Sequence, residues 1–228
     1  MRKQFAITEN VKRFTAAVNA AVEAPLGIDR FVLVYGPVGL GKTETALWWK
    51  NTQSPQSAFI RVKKAMSVRW LLEEIVAELG ETPTRRTSDL FHQAVEALIG
   101  TDRALILDEV DYVADKTTLI ETIRDLGDMT GTPIVLLGMP YAEEKLKKYA
   151  ALKRRISQVA RFESLTRKDV AEVLAQICEV QLDDSALDAI FAANKLTTVA
   201  QLYRWAAMAE RVARTRKLEI VTGADLAR

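Results

Sequence analysis

A chain of 228 residues, 49% hydrophobic and 27% charged, suits one large domain or a core with a small appendage. Its 32 basic and 30 acidic residues leave a net charge of +2, so overall charge announces no polyanion partner. The single cysteine, Cys178, excludes an internal disulfide, and neither a signal peptide nor a membrane-length apolar run is found, so a cytoplasmic protein with no membrane partner is expected.

Over residues 8–22, Val11, Phe14, Val18 and Val22 recur at helical spacing. The apolar run Phe31–Tyr35 predicts a strand, and a glycine-rich loop and a helix-like segment follow it directly. A second strand is predicted over 58–62, then a helix with Val68, Leu71, Leu72, Ile75, Val76 and Leu79 on one face. A polar loop over 80–88 leads to a helix over 89–99 and a third strand over 104–107. A helix over 117–126 ends in a turn through Gly131 and Pro133, followed by a fourth strand over 134–137. Helical residues continue to Ile156, and 159–162 is a short fifth strand. Near-continuous apolar strands joined by helices imply a buried parallel sheet covered on both faces.

At Glu163 the pattern turns helical. Thr166 followed by Asp169 is a capping-box start, Asp183 or Asp184 can cap a second helix, and Thr197 or Thr198 a third, long one. The expected division is an α/β core over 1–162, with the helix 8–22, and a small helical domain over 163–228.

The loop after the first strand reads Gly36-Pro37-Val38-Gly39-Leu40-Gly41-Lys42-Thr43, which satisfies the phosphate-loop template in full. Glycines at 36, 39 and 41 let backbone N–H groups turn inward onto phosphate oxygens, and the start of the following helix, with Glu44 in its first turn, adds a positive field. Lys42 would reach the β- and γ-phosphates and the Thr43 hydroxyl would ligate Mg²⁺. The third strand ends in Asp108-Glu109, separated from the loop by two helices. Asp108 suits the metal and Glu109 the orientation and deprotonation of an attacking water, while Asp111 is expected only to solvate the turn. A bound nucleoside triphosphate with Mg²⁺ follows.

On residues 36–43, 108–111, 136–140, 152–156 and 162–166 the chain resembles the AAA+ ATPases, and within them the transposition regulators of the Mu phage B, TniB and TnsC type. The resemblance implies a three-layer αβα core with a five-stranded parallel sheet in the order five-one-four-three-two, a C-terminal helical lid, and ATP as the nucleotide. It also implies an arginine finger pointed at the neighbouring protomer, for which Arg155 is preferred over Arg154. Two positions depart from the family pattern. The polar sensor at the end of strand four falls on Gly138-Met139, and the lid arginine falls near Ala200, with Arg204 one turn on. Hydrolysis that is weak, or that waits for a partner, is the expected result.

The same resemblance implies ATP-dependent rings or helical filaments on double-stranded DNA, gripped by its backbone, with a transposase as protein partner. Lys63, Lys64 and Arg69 form the first candidate cluster for DNA, and Arg85 and Arg86 the second. Trp48, Trp49, Trp70 and Trp205 sit among apolar neighbours at helical spacing and are expected to pack in the core or between subunits. The competing functions are a replication initiator or helicase loader, a protein-remodelling ATPase without nucleic acid, and a small-molecule kinase. The last is disfavoured by Asp108-Glu109 and the helical lid.

Overall fold

A computed structural model describes residues 2, 4–25, 27–193 and 198–226. They divide into two compact units. The α/β unit comprises residues 13–36 and 42–162, and the helical unit residues 1–12, 37–41 and 163–228.

In chain order the elements are α1 (Glu9–Val22), β1 (Phe31–Tyr35), α2 (Lys42–Gln53), β2 (Ala58–Arg61), α3 (Val68–Glu78), α4 (Thr87–Leu98) and β3 (Leu105–Asp108). A 3-10 turn (Val110–Tyr112) follows, then α5 (Thr117–Thr130), β4 (Ile134–Gly138), α6 (Pro140–Leu146), α7 (Ala150–Arg155) and β5 (Ile156–Arg161). The helical unit adds α8 (Arg167–Ile177), β6 (Gln181–Leu182), α9 (Asp184–Ala192), α10 (Val199–Arg216), β7 (Ile220–Val221) and α11 (Gly223–Leu226).

The five core strands form one parallel sheet ordered β2-β3-β4-β1-β5, the order that the family resemblance implies. Every residue of β3 and β4 is buried, which is why those runs carry no polar alternation. Ile60, Leu105, Leu107, Ile134 and Leu136 pack with Leu71, Leu72 and Ile75 of α3 and Ile120 and Ile123 of α5 in one continuous core. Gly127 of α5 is fixed by packing, because a Cβ there would stand 2.5 Å from the Phe31 ring.

Inside the helical unit, Val170, Val173, Leu174 and Ile177 of α8 pack with Ile190 of α9 and Leu202, Ala206 and Ala209 of α10. The capping box at Thr166 and Asp169 forms as its sequence implies, and Asp183 caps α9. Thr198 caps α10 in a second capping box with Gln201, while the alternative cap Thr197 lies outside the described residues. The Asn10 side chain brackets the Glu163 backbone, donating to its carbonyl at 2.8 Å and accepting from its N–H at 3.0 Å. The two-residue parallel pair β6-β7 gives no signal in the sequence. Among the described residues no helix is long and apolar enough to cross a membrane.

Candidate nucleotide site

The loop after β1 is shaped by its glycines. Gly39 and Gly41 have φ of 82° and 87°, a region that disfavours side chains. At Gly36 the constraint is space, since a Cβ there would meet the Phe162 carbonyl oxygen at 2.4 Å. Within the helical unit, the Val199 N–H donates to the Gly39 carbonyl at 3.2 Å. Leu40 is buried, whereas Val38 and the Glu44 side chain face solvent, and Pro37 is half-buried.

Lys42 opens α2, and its Nζ donates to the Gly36 carbonyl at 2.6 Å. Burial pushes its ammonium below the ordinary lysine range, and the carboxylates of Asp108 and Asp111 act against that shift. The Thr43 hydroxyl donates to Asp108 Oδ2 at 2.8 Å. A hydroxyl and a carboxylate this close can share one hard cation, and with Lys42 beside them they fit Mg²⁺ held on a triphosphate.

Asp108 is buried at the end of β3, and its Oδ1 accepts from the Glu109 N–H at 3.0 Å. Glu109 itself is left-handed (φ 59°, ψ 39°), an uncommon conformation for a residue with a side chain. The turn after β3 thereby bends sharply at Glu109. Asp111 corrects the expectation of a solvating role. Only 9% exposed, it accepts the Met139 N–H with both oxygens at 3.0 Å, and burial raises its carboxyl above the usual range.

The end of β4 has no room for a sensor side chain. A Cβ on Gly138 would stand 2.6 Å from the Ala142 Cβ and 3.0 Å from Asp111 Oδ1. Arg204, one turn along α10 from Ala200, is exposed.

The two finger candidates differ sharply. Arg155 donates to both carboxylate oxygens of Asp128 and, at 2.7 Å, to the Ala151 carbonyl. Arg154 is exposed and forms no side-chain hydrogen bond or ion pair among the described residues.

The two basic clusters are brought together. The Arg69 guanidinium donates to the Arg85 and Thr84 carbonyls and pairs with Glu73, so α3 holds the loop before α4. Lys63 pairs with Glu74, its Nζ 5.0 Å above the Trp70 ring. Lys64, Arg85 and Arg86 are exposed, with no side-chain partner among the described residues. Of the tryptophans, Trp49 is buried and donates to Asn19 Oδ1 at 2.9 Å, as core packing requires. Trp70 departs from that expectation, being 37% exposed beside Lys63.

The model of a family described as the AAA domain matches residues 28–146. The chain belongs to the AAA domain family. A search of curated proteins by sequence found no match. Among solved structures, the Orc1 protein of Aeropyrum pernix in complex with DNA is similar at a TM-score of 0.64 and 15% identity, over 96% of this chain and 64% of that one. The Thermotoga maritima RuvB Holliday junction branch migration motor matches at 0.63 and 20% identity, over 97% of this chain and 68% of that one. Cdc6p from Pyrobaculum aerophilum matches at 0.63 and 16% identity, over 93% and 63%. The chain thus spans somewhat under two thirds of the length of the Orc1 and Cdc6p chains. At these identities the likeness is one of fold.

Three residues of this AAA domain escaped the sequence reading. Asp111 is one. Arg61, paired in register with Asp108, sets its Nε 3.6 Å from Asp108 Oδ2. Lys116 donates to the Lys64 and Met66 carbonyls at 2.7 and 3.0 Å, which fixes the loop after β2. Each acts on a residue or backbone group distant in sequence, and no local pattern signals that.

Proposed function

We propose that this AAA domain is an ATPase that assembles on double-stranded DNA without sequence preference and there recruits or activates a transposase. What carries the DNA half is the Arg69 clamp, which ties α3 to the basic loop before α4 and leaves Lys64, Arg85 and Arg86 free to meet phosphates. The hydrolytic half is supported by the contact of Thr43 with Asp108.

Thr43 and Asp108 would hold Mg²⁺, which when bound with ATP offsets charge on the phosphate oxygens. Lys42 turns from the Gly36 carbonyl to the phosphates. Glu109 orients an attacking water and takes its proton. Because Asp128 engages Arg155 within its own chain, Arg154 is the better finger toward a neighbouring protomer. The site is then completed by assembly, and without a polar side chain at Gly138 hydrolysis is slow until a partner stimulates it.

Electron micrographs of the protein with non-specific duplex DNA, with and without ATP, test the reading. Rings or filaments that need ATP support it, and no DNA binding at low salt sinks it. Glu109→Gln should trap the assembly; disassembly as fast as wild type removes Glu109 from its role. Loading of a replicative helicase in place of transposase capture would move the chain to the initiator class.

A further inference from the structure

The carboxylate of Asp111 lies in the same 3-10 turn as the residues that follow Glu109. That turn is closed by the Tyr112 N–H on the Glu109 carbonyl and the Val113 N–H on the Val110 carbonyl, each at 3.1 Å. At its front stands Glu109, in a left-handed conformation that costs energy and persists only where its surroundings enforce it. Asp108 grips the Glu109 N–H from one side. From the other, Asp111 ties the turn to the Met139 N–H, the cap of α6 at the end of β4. A side chain from β4 cannot provide this link, because Gly138 has no space for one.

We propose that Asp111 is a positioning residue for hydrolysis: by holding the Met139 N–H it fixes the turn after β3 against β4 and sets where the Glu109 carboxylate stands. The proposal rests on the reading of Glu109 as the group that activates water. It gives a role to a buried acid whose two oxygens both accept the Met139 N–H. A displacement of about 1 Å at such a group lowers a rate by about a hundredfold while leaving substrate contacts intact.

Steady-state ATP hydrolysis by the full chain on duplex DNA, together with the Kd for a fluorescent ATP analogue, tests it from both ends of the bond. Asp111→Ala removes the acceptor. Met139→Pro removes the donor at a φ of −79°, which proline adopts, and sets a ring carbon against the two Asp111 oxygens that accepted the N–H. Each should lower kcat by about ten- to a hundredfold with KM and Kd within about twofold of wild type. The double variant, in which the ring carbon has no carboxylate to meet, should be no worse than Asp111→Ala, and a double variant much slower than Asp111→Ala shows that the proline acts by distortion and overturns its use as support. Met139→Ala keeps the N–H and should keep kcat.

Wild-type kcat in Met139→Pro overturns the proposal, and if Asp111→Ala does not fold that variant decides alone. A fall in nucleotide affinity that matches the fall in kcat also overturns it, since that is the mark of lost charge balance at Lys42. A wild-type protein that hydrolyses no more ATP than Glu109→Gln defeats the underlying reading as well. An active wild type, a dead Glu109→Gln and an unaffected Asp111→Ala defeat this inference alone.

Discussion

Two stretches of the α/β unit look very different as sequence. Residues 145–155 carry six basic side chains and no acid, whereas residues 63–86 carry five against four glutamates. In the folded chain the contrast vanishes. Lys145 pairs with Asp115, Lys147 with Glu143 and Arg155 with Asp128, leaving Lys148, Lys153 and Arg154 without side-chain partners among the described residues. In the second stretch Lys63 and Arg69 are paired, leaving Lys64, Arg85 and Arg86. Each region offers three free cations. Charge density along a chain is therefore a poor guide to the field outside it, because the neutralising acids come from other elements. What separates the regions is the use of the paired residues. Arg69 ties α3 to the loop that carries Arg85 and Arg86, while Arg155 anchors α7 and leaves its neighbour to project.

The sharpest way to break this comparison is at the adjacent arginines. Arg154→Ala should lower DNA-stimulated kcat by about a thousandfold at unchanged melting temperature, as loss of a finger does. If Arg155→Ala abolishes turnover and Arg154→Ala does not, the assignment is reversed. Next, Arg85→Glu with Arg86→Glu should weaken duplex binding by about a hundredfold in 50 mM salt, measured by fluorescence anisotropy. Lys148→Glu with Lys153→Glu is the matched control and should change the same Kd by less than about threefold. Arg155→Ala should lower the melting temperature in calorimetry by about 2–4 °C, the cost of one partly exposed bidentate pair. The smallest effect is expected at Arg61, which competes with a cation for Asp108. Arg61→Ala should lower the Mg²⁺ concentration needed for half-maximal hydrolysis by about two- to fivefold.

Legibility followed the range of the interaction. The runs at Phe31–Tyr35 and 134–137 could be read as strands because both faces of a central parallel strand are covered. The caps at Thr166, Asp183 and Thr198 could be read because each bonds a group three residues on. At the sheet edge, β5 runs over Ile156–Arg161, three residues earlier than its apolar pattern suggests, since one face is open and Ser157 and Val159 are exposed. The phosphate loop and Asp108-Glu109 were legible as motifs. The partners of Asp111 and Arg155 were not, because an N–H at Met139 and a carboxylate at Asp128 lie 28 and 27 residues away along the chain.

The crowding at Gly138 limits how this protein could change over generations. A serine, threonine or asparagine introduced there would collide first with the Ala142 methyl and then with the Asp111 carboxylate. No single codon change therefore restores a polar group at the tip of β4. A lineage would have to shrink Ala142 to glycine beforehand, weakening the first turn of α6, and then release Asp111 from its hold. Laboratory selection for faster ATP turnover should accordingly yield changes elsewhere in the chain before any at position 138.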